Sequence, residues 1–492
     1  MEPTGPSVLS VPSVPQARAF WRALVVIHRW LGIAGCLLFA AWFASGIVMM
    51  YVRMPELRAG ERLARKPRVD FSTARMTPAD LVRAIQSDPA QLRLTMTAGR
   101  PAYRVLTRGR WYTIMADSGR RPAAFTPDQA LAAAKLFAPD RAQTLRYEGR
   151  ITEPDQWTLQ SRAFLPLHRI ALGDPDGTIV YISDLTGEPE MKTTARERRW
   201  AYVGPVLHWL YFTPLRRHSN AWAQTIIWLS TAGVVMCLSG LVWGVSVARR
   251  SPYSGLMKWH HYAGLIFGAT TCTFIFSGLL SMDPFDWHPS TAPTRDQREA
   301  VAGGSARLDA LSIDLLRRSV TAIADEADAT ELEMVQFERQ LYLKAGDRMV
   351  PALAPGFGTI RRFDTSPMLA AAHAAMPGVA VQDYVQLTSY DSYYYDRDGT
   401  LPLPVYRVRF ADPRGTWLYL DPSRGAIVRK EERLSRANRW LYHGLHSLDF
   451  PFLYWRRPLW DVVMIVLCVG GLASAVTSVL PALRRLRRLG RR

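Results

Sequence analysis

Cysteine is scarce in this chain. The four present (Cys36, Cys237, Cys272, Cys468) stand far apart. That excludes a disulfide framework, a CxxC motif and the CxxCH of covalently attached haem. No GxGxxG fingerprint and no P-loop occurs, and Gly356-Phe-Gly358 lacks the third glycine. Acidic residues are few beside basic ones, 42 against 61, which leaves a formal charge of +19. An excess of that size admits nucleic acid, a membrane surface or an anionic substrate as partner. Mean hydropathy is close to zero, at −0.05. The chain is therefore not built mostly of membrane helices, although a few joined by large polar segments fit. What is abundant is apolar and aromatic: 48% apolar residues and 16 tryptophans exclude a disordered chain. A length of 492 residues allows about three domain-sized units.

Four segments are apolar enough to cross a bilayer, which takes about 20 residues. The expected layout is a cytoplasmic tail 1–22, spans 23–51, 221–247, 256–282 and 459–480, a short link 248–255 and a basic tail 481–492. Residues 52–220 and 283–457 are two large loops, each long enough for a folded domain. The first span is too long for the h-region of a secretory signal, and His28 and Arg29 suit a retained helix. The four cysteines fall within spans and read as small apolar packers. Arg249, Arg250 and Lys258 crowd the short link, Arg18 and Arg22 precede the first span, and six arginines follow the last. The positive-inside rule then puts both termini in the cytoplasm and both large loops outside. Pro-rich Ser7–Pro15 reads as a disordered tail.

The two halves resemble each other at an offset near 238. Leu165–Thr178 parallels Leu403–Thr416, Tyr181 matches Tyr419, and Gly187 matches Gly425. His28-Arg-Trp-Leu-Gly32 parallels His260-His-Tyr-Ala-Gly264, and Ser45-Gly46 parallels Ser277-Gly278. Cys237 and Gly240 parallel Cys468 and Gly471, and Leu207-His208 parallels Leu445-His446. This pattern predicts a duplicated chain, each half holding two spans around one outer α+β domain, related by an axis along the membrane normal. Helices are predicted at Thr77–Gln86, Pro127–Phe137, Leu308–Ala324 and Pro367–Ala375. Strands are predicted at Tyr103–Leu106, Trp111–Met115, Thr178–Ser183, Val405–Phe410 and Thr416–Leu420.

The chemistry falls on the histidines. His28 and His260 lie near the cytoplasmic ends of their spans; His208 and His446 precede spans two and four, at the outer face. A two-fold axis would set each pair face to face, as the axial ligands of a bis-histidine haem b need. Gly32 and Gly264, four residues beyond the inner ligand candidates, would let a flat macrocycle approach, with Gly35 and Gly268 nearby. The bland reading is that each histidine is an interfacial residue satisfied by a hydrogen bond, and duplication copies structural residues too. His261 competes with His260, and His443 with His446. A metal site at His288 has little to support it, and Tyr390–Asp396 reads as a strand or turn more readily than as a substrate contact.

These residues carry a resemblance. His28–Gly32, Leu207-His208, Thr178–Gly187, Trp417–Asp421 and Arg439–His446 are similar to the PepSY-associated transmembrane-helix family, which includes inner-membrane ferric-siderophore reductases. The resemblance covers nearly the whole chain. It implies PepSY-like outer domains, haem in the membrane part and reduction of ferric chelates on the periplasmic side. The expectation is a multi-pass protein of the bacterial inner membrane carrying two haem b groups, His28 with His260 and His208 with His446. Its acceptor would be a ferric siderophore or other ferric chelate, and its donor a quinol or a separate reductase, since no cytoplasmic nucleotide motif is present. Two rival classes are a PepSY-type sensor, binding or peptidase-regulating protein without redox activity, and a haem-bearing membrane subunit of another periplasmic oxidoreductase. The charge divides accordingly: +10 in 52–220, −1 in 283–457 and +10 in the remainder. The last share is a topology signal, which needs the lipid bilayer and no nucleic acid.

Overall fold

A computed structural model describes residues 14–491 except 306 and 328. Most of the expected N-terminal tail, 7–13, lies outside the described residues, and a helix already runs from Val14. The chain divides into two compact units. One consists of residues up to Arg53, Tyr202–Trp287 and Asn438 onward; the other of Met54–Ala201 and His288–Ala437.

The first unit holds four long helices: α1 (Val14–Met49), α2 (Ser219–Ser246), α3 (Gly255–Leu280) and α4 (Leu459–Leu489). All four are long and apolar enough to cross a membrane, with mean hydropathies from 1.7 to 2.3 over the best window. The chain is thus consistent with a multi-pass membrane protein. Helix α4 runs well past the expected end at 480. Leucine and arginine are strong helix formers, so Leu483–Leu489 continues the helix although Pro481 lies inside it. The segments before α2 and α4 are wide-turned helices, Tyr202–Val206 and Arg439–Gly444, leading directly to His208 and His446. Both histidines belong to the helical unit, on the segments that precede α2 and α4.

The second unit is α+β. Its strands are β1 (Gln91–Thr97), β2 (Arg100–Thr107), β3 (Arg110–Met115), β4 (Arg146–Ile151), β5 (Leu167–Ala171), β6 (Ile179–Ser183) and β7 (Pro189–Thr193). They continue with β8 (Glu331–Phe337), β9 (Gln340–Ala345), β10 (Arg348–Pro351), β11 (Val381–Leu387), β12 (Val405–Phe410), β13 (Trp417–Asp421) and β14 (Ala426–Glu431). Two four-stranded antiparallel sheets have the orders β4-β5-β6-β7 and β11-β12-β13-β14. In each, a glycine turns the last hairpin with positive φ: Gly187 at +69° and Gly425 at +59°. A Cβ at either would lie 2.4–2.5 Å from a ring carbon of Phe125 or Phe337, so glycine is required twice over.

The third sheet changes the expected organisation. It has six strands in the order β10-β9-β8-β1-β2-β3, and antiparallel pairing of β1 with β8 joins strands from both halves of the sequence. Two separate loop domains were expected; the structure has one unit with a shared sheet. A single core runs beneath it, from Phe71, Leu94 and Tyr103 to Leu316, Leu332 and Leu343. The seam also buries charge. The Arg62 guanidinium reaches Glu331 at 2.8 Å and Glu188 at 3.0 Å, and Arg104 reaches Glu188 at 2.6 Å and Glu190 at 2.5 Å. Burial pushes the Glu331 carboxyl up, but Arg62, Arg104 and Arg93 pull it down further, to about 2.

Local signals place the helices. Thr77, Thr126 and Thr294 each cap a helix and form a capping box with the residue three further on. Ser312 caps Ile313–Ala324, which breaks the expected Leu308–Ala324 helix after one short turn. The tyrosine run packs inward: Tyr394 is fully buried, stacks on Tyr419 at 4.9 Å and donates its hydroxyl to the Pro402 carbonyl. It is a structural turn.

Candidate functional site

The four-helix unit brings the expected histidines together in pairs. His28 on α1 faces His260 on α3 with ring centroids 6.0 Å apart. His208 faces His446 at 6.1 Å. Two imidazoles that bind one metal from opposite sides, each at a metal–nitrogen distance of about 2.0 Å, hold their centroids about 6.3 Å apart. Both pairs match that spacing.

Each ring is held in the same way. His28 Nδ1 lies 2.9 Å from the Met236 carbonyl oxygen, and His260 Nδ1 lies 2.8 Å from that of Ser474. His208 Nδ1 lies 3.1 Å from the Trp42 carbonyl oxygen and 3.1 Å from Ser45 Oγ. His446 Nδ1 meets the Phe274 carbonyl oxygen and Ser277 Oγ at the same distances. Ser45 and Ser277 spend their own protons on the carbonyls of Ala41 and Thr273, each at 2.6 Å. They therefore accept from the imidazole, and Nδ1 is the protonated nitrogen in all four rings. That leaves the lone pair on Nε2, the tautomer a metal-ligating histidine adopts when a carbonyl orients it. Burial, then the facing His446, push His208 down to about 4, so its ring is neutral.

Glycines make room for these rings. A Cβ on Gly240 would lie 2.4 Å from His28 Cε1 and 2.5 Å from its Nδ1. Gly46 and Gly278 flank His208 and His446 less tightly, with 3.5 Å to each Cε1. The His28–His260 pair opens on a cavity of about 870 Å³, which Gly32, Gly240, Gly264 and Gly268 also line. That is within the range of about 300–1,000 Å³ for small-molecule and cofactor sites. A Cβ on Gly264 would meet open space. Gly35 instead serves packing, since a Cβ there would strike Phe39.

The two pairs sit at different depths. The carbonyls that hold His208 and His446 belong to Trp42 and Phe274, fourteen residues along the same helices from His28 and His260. At about 1.5 Å per residue the levels differ by about 21 Å, most of a hydrocarbon core of about 30 Å.

The competing histidines separate. His261 has both ring nitrogens engaged, Nδ1 with Ser251 Oγ at 2.8 Å and Nε2 with the Gly244 carbonyl oxygen at 3.0 Å. Its ring braces the link between α2 and α3. The His443 ring lies on Tyr442, with centroids 4.4 Å apart, while His446 is the residue that faces His208. His168 is buried between the Tyr147 hydroxyl and the Phe125 carbonyl.

Among the described residues, no group of three or more His, Cys, Asp or Glu side chains is placed to hold a bare metal ion. Two opposed imidazoles with no third protein donor suit a metal whose remaining positions a planar macrocycle fills. The donor set, the spacing and the cavity at the first pair thus fit a haem, with His28 and His260 as one ligand pair and His208 and His446 as the other. Sequence reasoning missed Gly240 as the seat of the His28 ring. It also missed the carbonyls of Met236 and Ser474, which no side chain announces. The chain matches no protein-family model and no curated protein.

Proposed function

We propose that the chain is a haem-b electron-transfer protein of the bacterial inner membrane. It reduces a ferric siderophore or another ferric chelate on the periplasmic side and thereby releases iron. The observation that carries this reading is the repeated arrangement of two facing imidazoles, about 6 Å apart, each with Nδ1 tied to a backbone carbonyl. Like element orders in the two sequence halves support a duplicated chain with PepSY-like domains. The arginines of the α2–α3 link and of the end of α4 support cytoplasmic termini.

When bound, bis-histidine haem supplies one-electron transfer and leaves no open coordination site for oxygen. The chain's own residues do the rest. Met236, Ser474, Trp42 and Phe274 fix the tautomer and orientation of each ligand through their carbonyls. Phe39, Phe43 and Cys237 supply apolar walls between the levels. Reduction frees the metal because hard oxygen chelators hold Fe(III) better than Fe(II). The donor is a membrane quinol or a separate reductase, since the chain has no nucleotide fingerprint.

Protein reduced with dithionite under anaerobic conditions tests this reading. Adding a ferric siderophore should reoxidise it, with Fe(II) trapped by a ferrous chelator in matching amount. Reduced protein that stays reduced would favour a membrane subunit serving some other periplasmic oxidoreductase.

A further inference from the structure

We infer that Arg29, Arg484, Arg485 and Arg488 form an anion-binding rim on the His28–His260 cavity that holds the two carboxylates of its haem and raises that haem's potential. The inference rests on the haem reading of the site. All four arginines line the cavity that contains the imidazole pair. Arg29 follows a ligand candidate directly, and the other three come from the extension of α4 beyond its apolar stretch. In the strand-rich unit, Arg62, Arg104, Arg150 and Arg409 all meet carboxylates. None of the four rim arginines meets a carboxylate among the described residues. Four cations therefore line the cavity, Arg484, Arg485 and Arg488 of them exposed, and among the described residues no carboxylate lines it. Their fork geometry suits a carboxylate, which each can take with two parallel N–H bonds.

The bland explanation is that these arginines only mark the cytoplasmic side. That explanation applies equally to Arg487, which shares the same helical extension and does not line the cavity. Position along the helix separates the two roles. A cation near the iron favours the ferrous form, which has one positive charge less, so the rim raises the potential of this haem above what the ligands alone would set. The other haem would sit about fourteen residues further along the helices, a rise of about 21 Å, so the same charges act on it more weakly through distance.

Potentiometric titration of detergent-purified variants tests the inference. Arg485→Gln and the double variant Arg484→Gln/Arg488→Gln should retain both low-spin haems, with the midpoint of one shifted to lower potential and the other shifted less. Arg487→Gln removes the same charge and should shift neither. Two haems with wild-type midpoints in all cavity variants would overturn the rim and assign these arginines to lipid headgroups alone. Equal shifts in Arg487→Gln and the cavity variants would overturn it too, by showing a general surface-charge effect. A wild-type protein without haem would instead sink the reading on which the inference stands.

Discussion

Replacing Gly240 by alanine isolates the seat of the His28 ring. The new Cβ would stand 2.4 Å from His28 Cε1, whereas ordinary contacts begin near 3.4 Å, so the ring must retreat by about 1 Å. A functional constellation tolerates about 0.5 Å of displacement. Retreat also breaks the 2.9 Å bond from Nδ1 to the Met236 carbonyl. Losing such an orienting bond costs about 10- to 100-fold in metal affinity, or about 1.4–2.7 kcal/mol. Overpacking adds about 1–3 kcal/mol. The helix itself gains, since alanine in a helix interior is better than glycine by about 1 kcal/mol, so any loss comes from the ring and not from α2. Haem per chain, measured by pyridine haemochromogen on purified protein, should fall from two towards one. Gly46→Ala is the matched control: its Cβ would lie 3.5 Å from His208 Cε1, an ordinary contact, and both haems should remain. A Gly240→Ala protein with two haems and unchanged bands would refute the proposed seat.

Other expectations follow from the same geometry. His28→Ala and His260→Ala should each lose the same haem, and His208→Ala and His446→Ala the other, as read in the reduced spectrum. His261→Ala should keep both, because both of its ring nitrogens are already engaged. In the strand-rich unit, Glu331→Gln removes the carboxylate that joins Arg62 and Arg93, while Arg62 keeps Glu188 at 3.0 Å. The cost should therefore fall below the ~3–5 kcal/mol of a fully stranded buried charge; denaturant titration followed by hydrogen exchange in β1 and β8 would measure it. Since the folded Glu331 pKa is depressed to about 2 from an ordinary 4.5, its stabilisation is complete above about pH 4.5 and vanishes as pH falls towards 2. The full span is about 3 kcal/mol. Burial raises Glu188, but Lys66, Arg104 and Arg62 depress it overall in the same sense as Glu331, which adds to the loss in acid. Burial shifts Glu190 the other way and offsets part of that loss. Protection of β1 and β8 that is unchanged between pH 6 and pH 3 would contradict the assignment.

The four long helices were legible because long apolar runs between basic flanks leave few alternatives. The histidine pairs were legible through register, since like positions in like segments recur at one spacing. The choice between His260 and His261 was not, because neighbours on a helix differ by about 100° and only packing shows which direction faces His28. Carbonyl acceptors were invisible in principle: Met236 and Ser474 contribute backbone that any residue would supply. Gly240 stood in the sequence match beside Gly471, yet the two do different work. One makes room for His28, and the other for Phe43. The joining of the halves was hidden for another reason. Pairing of β1 with β8 brings together strands more than 230 residues apart, and neither strand was among those predicted. Nothing local in Gln91–Thr97 or Glu331–Phe337 names its partner. The arginine rim depended on α4 continuing beyond the expected end of its span.

The central claim is that two facing imidazole pairs hold haem. The reduced-minus-oxidised absorption spectrum of the detergent-purified chain from haem-replete cells, taken with a haem-to-protein ratio, tests it most directly. The expected result is sharp low-spin b-type bands at two haems per chain. A colourless preparation would contradict it.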